Sequence, residues 1–410
     1  LSHAASAGRQ LQSGLWAALA KPSSGTLWYA GIVVAGLLVR IPMLPFLTGD
    51  MDVHLLRWFA TIDAQGAGFL RERVADYAPI YELYFWLLTN FDGLASPMTL
   101  IKLSSLPFEL SLAFAIGALV RACGGSIALG RLGFAIAFLL PTGVLNAAAW
   151  GQCDAIYVSF LAWCLWSAIK RRPLLTMAMF SAALAFKLQA AWIGPVLLWL
   201  ALKGRQPWWT FAFAPVGYLI GALPVLIAGR DVADTLFVYG LQAGTYRELA
   251  LNAASLYALI PDSFYDMLAG PGVIVAGIVI LAVVTWLYRT NRLASDPAFL
   301  IGAAALLMLV PFITPKMHDR YFYASDFVLI AVALVRPRLW PALVLAQIAS
   351  LLSYAPFLMN GLANRAWEWP PLIERQMWRI HLVPILGTFC NAAALILLWR
   401  AIVREKPATP

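Results

Sequence analysis

The chain reads as an all-α polytopic membrane protein with about twelve transmembrane helices, and three observations carry that reading. Of its 410 residues, 62% are hydrophobic and only 12% charged, whereas soluble domains are about a quarter charged. Apolar runs of roughly twenty residues recur along the chain, the length that crosses a hydrocarbon core of about 30 Å. Between them the basic residues gather in short clusters: Lys170-Arg171-Arg172, Lys203-Gly204-Arg205, Arg289 to Arg292, Arg336-Pro337-Arg338 and Arg400 to Lys406. That spacing is the positive-inside pattern of cytoplasmic loops. The net charge of +9 is therefore a membrane signature, and no nucleic-acid partner is expected. Cys123, Cys153, Cys164 and Cys390 form no CxxC pair, which speaks against a zinc site or a disulfide scaffold.

Residues 1–26 are polar and weakly amphipathic, without the pattern of a signal peptide, and are expected at the cytoplasmic surface or interface. Residues 27–403 read as one membrane domain and 404–410 as a cytoplasmic tail. The first crossing, 27–47, runs outward from the basic side and opens into a first outer loop, 48–80. There Leu55, Leu56, Phe59 and Ile62 recur at helical spacing, the mark of an amphipathic helix in the membrane interface. Residues 81–91 are apolar but too few to span, so 100–120 takes the next crossing. Crossings at 129–149, 152–169, 174–188, 190–202 and 208–228 then alternate, followed by a second large outer loop, 229–271. Five more, at 272–289, 298–314, 322–335, 339–358 and 381–400, return both termini to the cytoplasm.

This topology sorts the unusual polar residues onto the outer face. Asp50 and Asp52 stand where the first crossing surfaces. A carboxylate at a membrane rim is costly to desolvate unless a cation, a proton or a reacting hydroxyl meets it. Asp50 is the leading candidate for a general base and Asp52 its rival; capping of the following helix is the structural alternative. Two acids this close could hold a divalent metal, but no third ligand stands nearby, so no metal or cofactor is expected.

Lys316-Met317-His318-Asp319-Arg320-Tyr321 sets three potential cations in six residues after Pro311 and Pro315 interrupt a helix. Lys316, His318 and Arg320 suit phosphate oxygens, and broken helices at membrane depth often line cavities. Trp150-Gly151-Gln152-Cys153-Asp154 is a polar pentad between crossings. Trp150, Gln152 and Asp154 could bind sugar hydroxyls, or serve as an interfacial tryptophan and a helix cap. Lys187 interrupts an apolar stretch and must pair, bind an anion or snorkel; phosphate and Asp154 are its two leading partners. His54, Arg57 and Tyr77 could orient a substrate from the first loop, and Tyr239, Gln242, Tyr246, Arg247 and Asn252 could line the second. No P-loop, dinucleotide fingerprint or nucleophile elbow is present.

Taken in order, Asp50, Asp76-Tyr77-Ala78-Pro79, the Trp150 pentad, Phe186-Lys187-Leu188-Gln189-Ala190 and Lys316 to Tyr321 resemble the GT-C superfamily of polyprenyl-phosphate-sugar-dependent glycosyltransferases. The pattern is similar to bacterial relatives of the GPI-anchor mannosyltransferases and the dolichyl-phosphate-glucose-dependent glucosyltransferases, over about residues 27–335. The resemblance implies a GT-C fold, a polyprenyl-phosphate sugar donor in the outer leaflet, and a lipid-linked or glycan acceptor. It also implies an active site facing the periplasm or exterior of a bacterial plasma membrane, a first-loop acid as base (Asp50), and a late loop near the donor phosphate (His318, Arg320). Ala78 departs from the pattern, where a second proline is common. The competing class, a transporter or flippase of lipid-linked sugars, predicts internal repeats and midplane charges, whereas these charges cluster at one face.

Overall fold

The computed structural model describes residues 25–243, 246–366 and 382–406. The N-terminal segment 1–24, the last four residues of the expected tail and the start of the last expected crossing lie outside the described residues. Helices α1 (Gly25–Arg40), α2 (Leu56–Gln65), α3 (Pro79–Thr89), α4 (Pro97–Ser104), α5 (Leu106–Ala122), α6 (Ile127–Phe138), α7 (Asp154–Ile169) and α8 (Pro173–Phe186) make the first half. The second half comprises α9 (Gly194–Leu202), α10 (Val216–Ile227), α11 (Tyr265–Thr290), α12 (Asp296–Ile313), α13 (Tyr323–Val335), α14 (Trp340–Ala366) and α15 (Leu382–Arg404). Two short strands, β1 (Ala250–Leu251) and β2 (Met317–His318), pair in parallel.

Among the described residues seven helical segments are long and apolar enough to cross a membrane: 25–43, 97–122, 208–227, 262–290, 296–313, 337–359 and 383–404. The pair Ile127–Phe138 and Pro141–Trp150, bent by 41°, forms one more, and four shorter apolar helices include α7, α8 and α13. These segments fall one to one on the apolar runs of the sequence. α7 and α13 can be short because they are buried over nearly their whole length and meet protein rather than lipid. Peripheral helices instead turn large apolar side chains outward, such as Ile274 and Ile278 on α11 and Ile220 and Ile227 on α10, a face that only a bilayer accommodates over such an area.

Two cores divide the interior. The large one joins α5 to α8 with α12 to α15. α5 and α6 approach closely because both carry glycine at the contact: a Cβ on Gly117 would stand 2.6 Å from the Gly130 carbonyl. Arg40 ties α1 to this core through Glu109 at 2.6 Å and the Phe138 carbonyl at 2.9 Å. The small core packs Leu55, Phe59 and Ile62 of the first loop against Tyr81, Phe85 and Leu88 of α3. The amphipathic helix of that loop is thus present, but its apolar stripe is covered by α3 and α4 rather than by lipid. The short apolar run after Tyr77 becomes α3, an eleven-residue helix in the same layer.

The second loop is also more structured than its composition suggests. Its end belongs to α11, which starts at Tyr265 and runs through Pro271 rather than starting past it. Arg230, just after α10, reaches back to Glu82 of α3 and to the carbonyls of Phe69 (2.8 Å) and Leu70 (3.2 Å). The basic loops meet at the far side: Arg171 and Arg205 approach Asp296 at 3.9 and 4.0 Å, and Arg336 meets Glu405 at 3.5 Å.

Candidate active site

Two π-helical turns deliver the polar groups of the site. One, Met51–Leu55, starts immediately after Asp50; the other, Leu145–Trp150, ends on Trp150. Such wide turns re-aim side chains and recur at functional sites. The chain between α1 and Asp50 is held by Lys102, whose ammonium donates to the carbonyls of Met43 (3.0 Å), Leu44 (3.1 Å) and Phe46 (2.5 Å). Thr48 donates to the Trp150 carbonyl at 3.2 Å, stitching the two turns together. Gly151 follows with φ of 82°, a left-handed backbone that other residues rarely adopt, which favours glycine where the two turns meet.

The result is a cavity of about 420 Å³ open at one side. Its first wall carries Asp50, His54, Trp58, Asp76 and Tyr77 from the first loop, with Gln152. The lining continues with Lys187, Gln189 and Trp192, and with Thr314 to His318, Arg320 and Tyr321 of the late loop. Tyr239, Tyr246, Leu251 and Val273 complete it. On the first wall Trp150 Nε1 and Gln152 Nε2 both donate to Asp50 Oδ2, at 2.9 and 2.8 Å. Oδ1 receives neither of these bonds. One oxygen of a cavity-lining carboxylate thus takes both of these bonds.

Behind the lining Asp154, the first residue of α7 and only 1% exposed, gathers the cations. Lys187 Nζ lies 2.6 Å from its Oδ1, Asn146 donates to Oδ2 at 2.9 Å, and Arg320 Nε stands 3.5 Å from Oδ2. Arg320 also meets Asp319 at 3.6 Å. Burial pushes the Asp319 carboxyl up to about 7, with Asp50 adding to the rise and Arg320 opposing it. Burial pushes His318 down to about 3, and the neighbouring Arg320 and Lys187 charges act in the same direction. His318 is therefore a neutral hydrogen-bonding group at neutral pH, not a third cation as its place in the motif suggests. It is flanked by Tyr246 and Tyr321, with ring centroids 5.3 and 5.0 Å away. Its backbone belongs to β2, so the pairing with β1 holds it. Lys316, at φ of 65°, donates to the Tyr265 hydroxyl at 2.5 Å. Burial raises the Tyr77 phenol to about 12, keeping it protonated against the pull of Lys187.

No protein-family model and no curated protein matches the chain. Among solved structures it is similar to the crystal structure of ArnT from Cupriavidus metallidurans bound to undecaprenyl phosphate, with a TM-score of 0.52 over 92% of this chain and 78% of that one, at 15% identity. The chain has the GT-C fold.

Within this GT-C fold most residues singled out in the sequence converge on one cavity: Asp50, His54, Tyr77, Gln152, Lys187, Lys316, His318 and Arg320 all line it. Asp52 and Arg57 do not, because the π-turn and α2 carry them round to the exposed side. Trp150 and Asp154 stand behind the wall. Trp150 is fully buried, stacked on Phe357 at 4.4 Å and edge-on to Tyr354, so it offers no face to a sugar. Asp154 is enclosed by its cations, so neither residue contacts a ligand in the cavity directly. Lys187 is claimed by Asp154 and still borders the cavity, so its two leading partners are not exclusive. Asn252 faces His318 through a backbone bridge, Arg247 pairs with Asp266 at the surface, and the side chain of Gln242 is outside the described ones. Trp192, which meets Tyr321 at 4.8 Å, was not singled out. In an apolar run one more tryptophan carries no signal of its own.

Proposed function

We propose that the chain is a membrane glycosyltransferase that moves a hexose or pentose from a polyprenyl-phosphate sugar to a hydroxyl of a lipid-linked or glycan acceptor, with inversion. The observation that carries this reading is a single cavity lined both by a carboxylate held on one oxygen, Asp50, and by the cations Lys187, Lys316 and Arg320. The GT-C fold and the undecaprenyl phosphate bound by the neighbour of similar structure support a polyprenyl phosphate as the donor's lipid. In a bilayer the basic loops would face the cytoplasm and the cavity the periplasm or exterior.

The chemistry follows from charge. Asp50 Oδ1 takes the proton of the acceptor hydroxyl as its oxygen attacks the anomeric carbon. The bond from that carbon to the phosphate oxygen breaks, and the electron pair leaves with the polyprenyl phosphate, which becomes a monoester and gains negative charge. Arg320 and Lys316, with Lys187 behind them, meet that charge in place, so little reorganisation is needed as it develops. His318 supplies a neutral hydrogen bond at the same wall. Inversion requires the acceptor hydroxyl activated by Asp50 and the departing phosphate to take opposite faces of the anomeric carbon, which is the arrangement proposed for the bound sugar.

The test is transfer from defined polyprenyl-phosphate sugars by the protein in lipid nanodiscs, followed by mass spectrometry of the product and its anomeric configuration. Asp50→Asn is expected to lower turnover by about 10³-fold while donor binding is kept; turnover near that of the wild type in this variant overturns the assignment of the base. Lipid and glycan profiling of a strain lacking the gene identifies the sugar and the acceptor.

A further inference from the structure

The mechanism uses Asp50 and Arg320 but leaves unexplained a side chain that lies against both, Trp150. The Trp150 ring donates from Nε1 to Asp50 Oδ2 at 2.9 Å, and the Arg320 guanidinium carbon lies 5.6 Å from the ring centroid. The ring itself cannot drift: Phe357 stacks on it with planes 17° apart and Tyr354 stands edge-on at 84°. Its backbone is fixed as well, since Thr48 donates to its carbonyl and Gln152 N closes the turn onto Asn146 O at 2.9 Å. Asn146 in turn holds Asp154, which holds Lys187 and Arg320. The π-turn from Leu145 to Trp150 thus reaches the cationic wall at its start and the carboxylate at its end.

We infer that Trp150 is the positioning residue that sets the base against the leaving-group cation, its N–H selecting Asp50 Oδ1 as the proton-accepting oxygen and its ring seating Arg320. The inference rests on Asp50 being the base, and it deepens that reading. An indole does both tasks because its N–H lies in the ring plane and its π cloud lies across it. Phenylalanine keeps the second and loses the first; leucine loses both.

Trp150→Phe, Trp150→Leu and Gln152→Leu separate the two tasks when assayed by initial rates in nanodiscs across pH. Trp150→Phe is expected to lower kcat about 10- to 100-fold and leave the donor KM within about threefold. The acid limb of its pH profile should move up by about one unit, because a carboxylate that loses a donor protonates more easily. Gln152→Leu removes the other bond to Oδ2 and moves that limb in the same direction, which keeps the inference testable where Trp150→Phe does not fold. Trp150→Leu should in addition raise the donor KM about fivefold. An unmoved acid limb in both Trp150→Phe and Gln152→Leu overturns the orientation of Asp50, and equal donor KM in Trp150→Phe and Trp150→Leu overturns the seating of Arg320. Full activity of Asp50→Asn would instead remove the reading beneath, so the two failures are distinguishable.

Discussion

Two buried ion pairs in this protein look alike and behave differently. Glu82–Arg230 and Asp154–Lys187 each join a helix to a distant segment with almost no exposure. Glu82 accepts two backbone N–H groups, from Val74 and Ala75 at 2.8 and 2.7 Å, and one guanidinium. Arg230 also donates to the carbonyls of Phe69 and Leu70. That pair is electrically closed and its hydrogen bonding is used within the protein. Asp154, by contrast, is one carboxylate among two cations, Lys187 and Arg320, and the ammonium of Lys187 has more donors than the single carboxylate oxygen it meets. The surplus positive charge borders the cavity. The Glu82 pair holds loops together within the protein, and on the proposed function the Lys187 pair is the one that a donor phosphate would meet.

Stability should separate the two most strongly. Arg230→Met leaves Glu82 with no other ion pair among the described residues and is expected to cost about 3–5 kcal/mol, read as a large fall in melting temperature in detergent. Lys187→Met leaves Asp154 with Arg320 and Asn146. Its stability cost should be about 1–2 kcal/mol, while donor affinity falls about tenfold. Equal melting temperatures for the two variants would erase the distinction. The next effect is on pH. Asp319 titrates near 7 beside Arg320, whereas a polyprenyl-phosphate sugar is a phosphodiester with no ionisation near neutrality. As pH falls through 7 the carboxylate is neutralised and Arg320 loses a competing anion. Donor affinity should therefore be on the order of fivefold tighter at pH 6 than at pH 8, and Asp319→Asn should hold it at the tighter value at both, by calorimetry or fluorescence titration. The sign for stability agrees: a carboxyl raised above its unfolded value of about 3.9 favours the fold below that value and loses this contribution as pH rises to about 7. The smallest effect belongs to Asp52→Asn, which should change turnover by less than about twofold, since the side chain is exposed and off the cavity.

The same contrast explains what could be read from the sequence. Membrane crossings and basic loops were legible because lipid imposes length and charge rules on every segment separately. Asp50 and the Lys316 to Arg320 loop stood out because ionisable groups beside apolar runs are costly and few. The closed pair was not legible: Glu82 and Arg230 are 148 residues apart, and either alone resembles a solvated loop charge. The fate of Trp150 was hidden for a different reason. A tryptophan next to glycine at the end of a crossing fits the interfacial belt as well as a core, and only the two π-turns decide that it lies inward. The protonation of His318 was equally invisible, since it depends on burial created by β1, which lies 67 residues before it in the register Leu251 to His318.

Lys102 bears on how much chemistry one substitution can carry. An ammonium has three hydrogens, and three carbonyls meet it, from Met43, Leu44 and Phe46. Three donors meet three acceptors, whereas a planar guanidinium would bring five N–H groups in a fixed fork to the same three carbonyls. An exchange usually counted as conservative is, at this position, a change of shape. The strand of chain that ends on Asp50 is therefore anchored by stoichiometry as much as by charge.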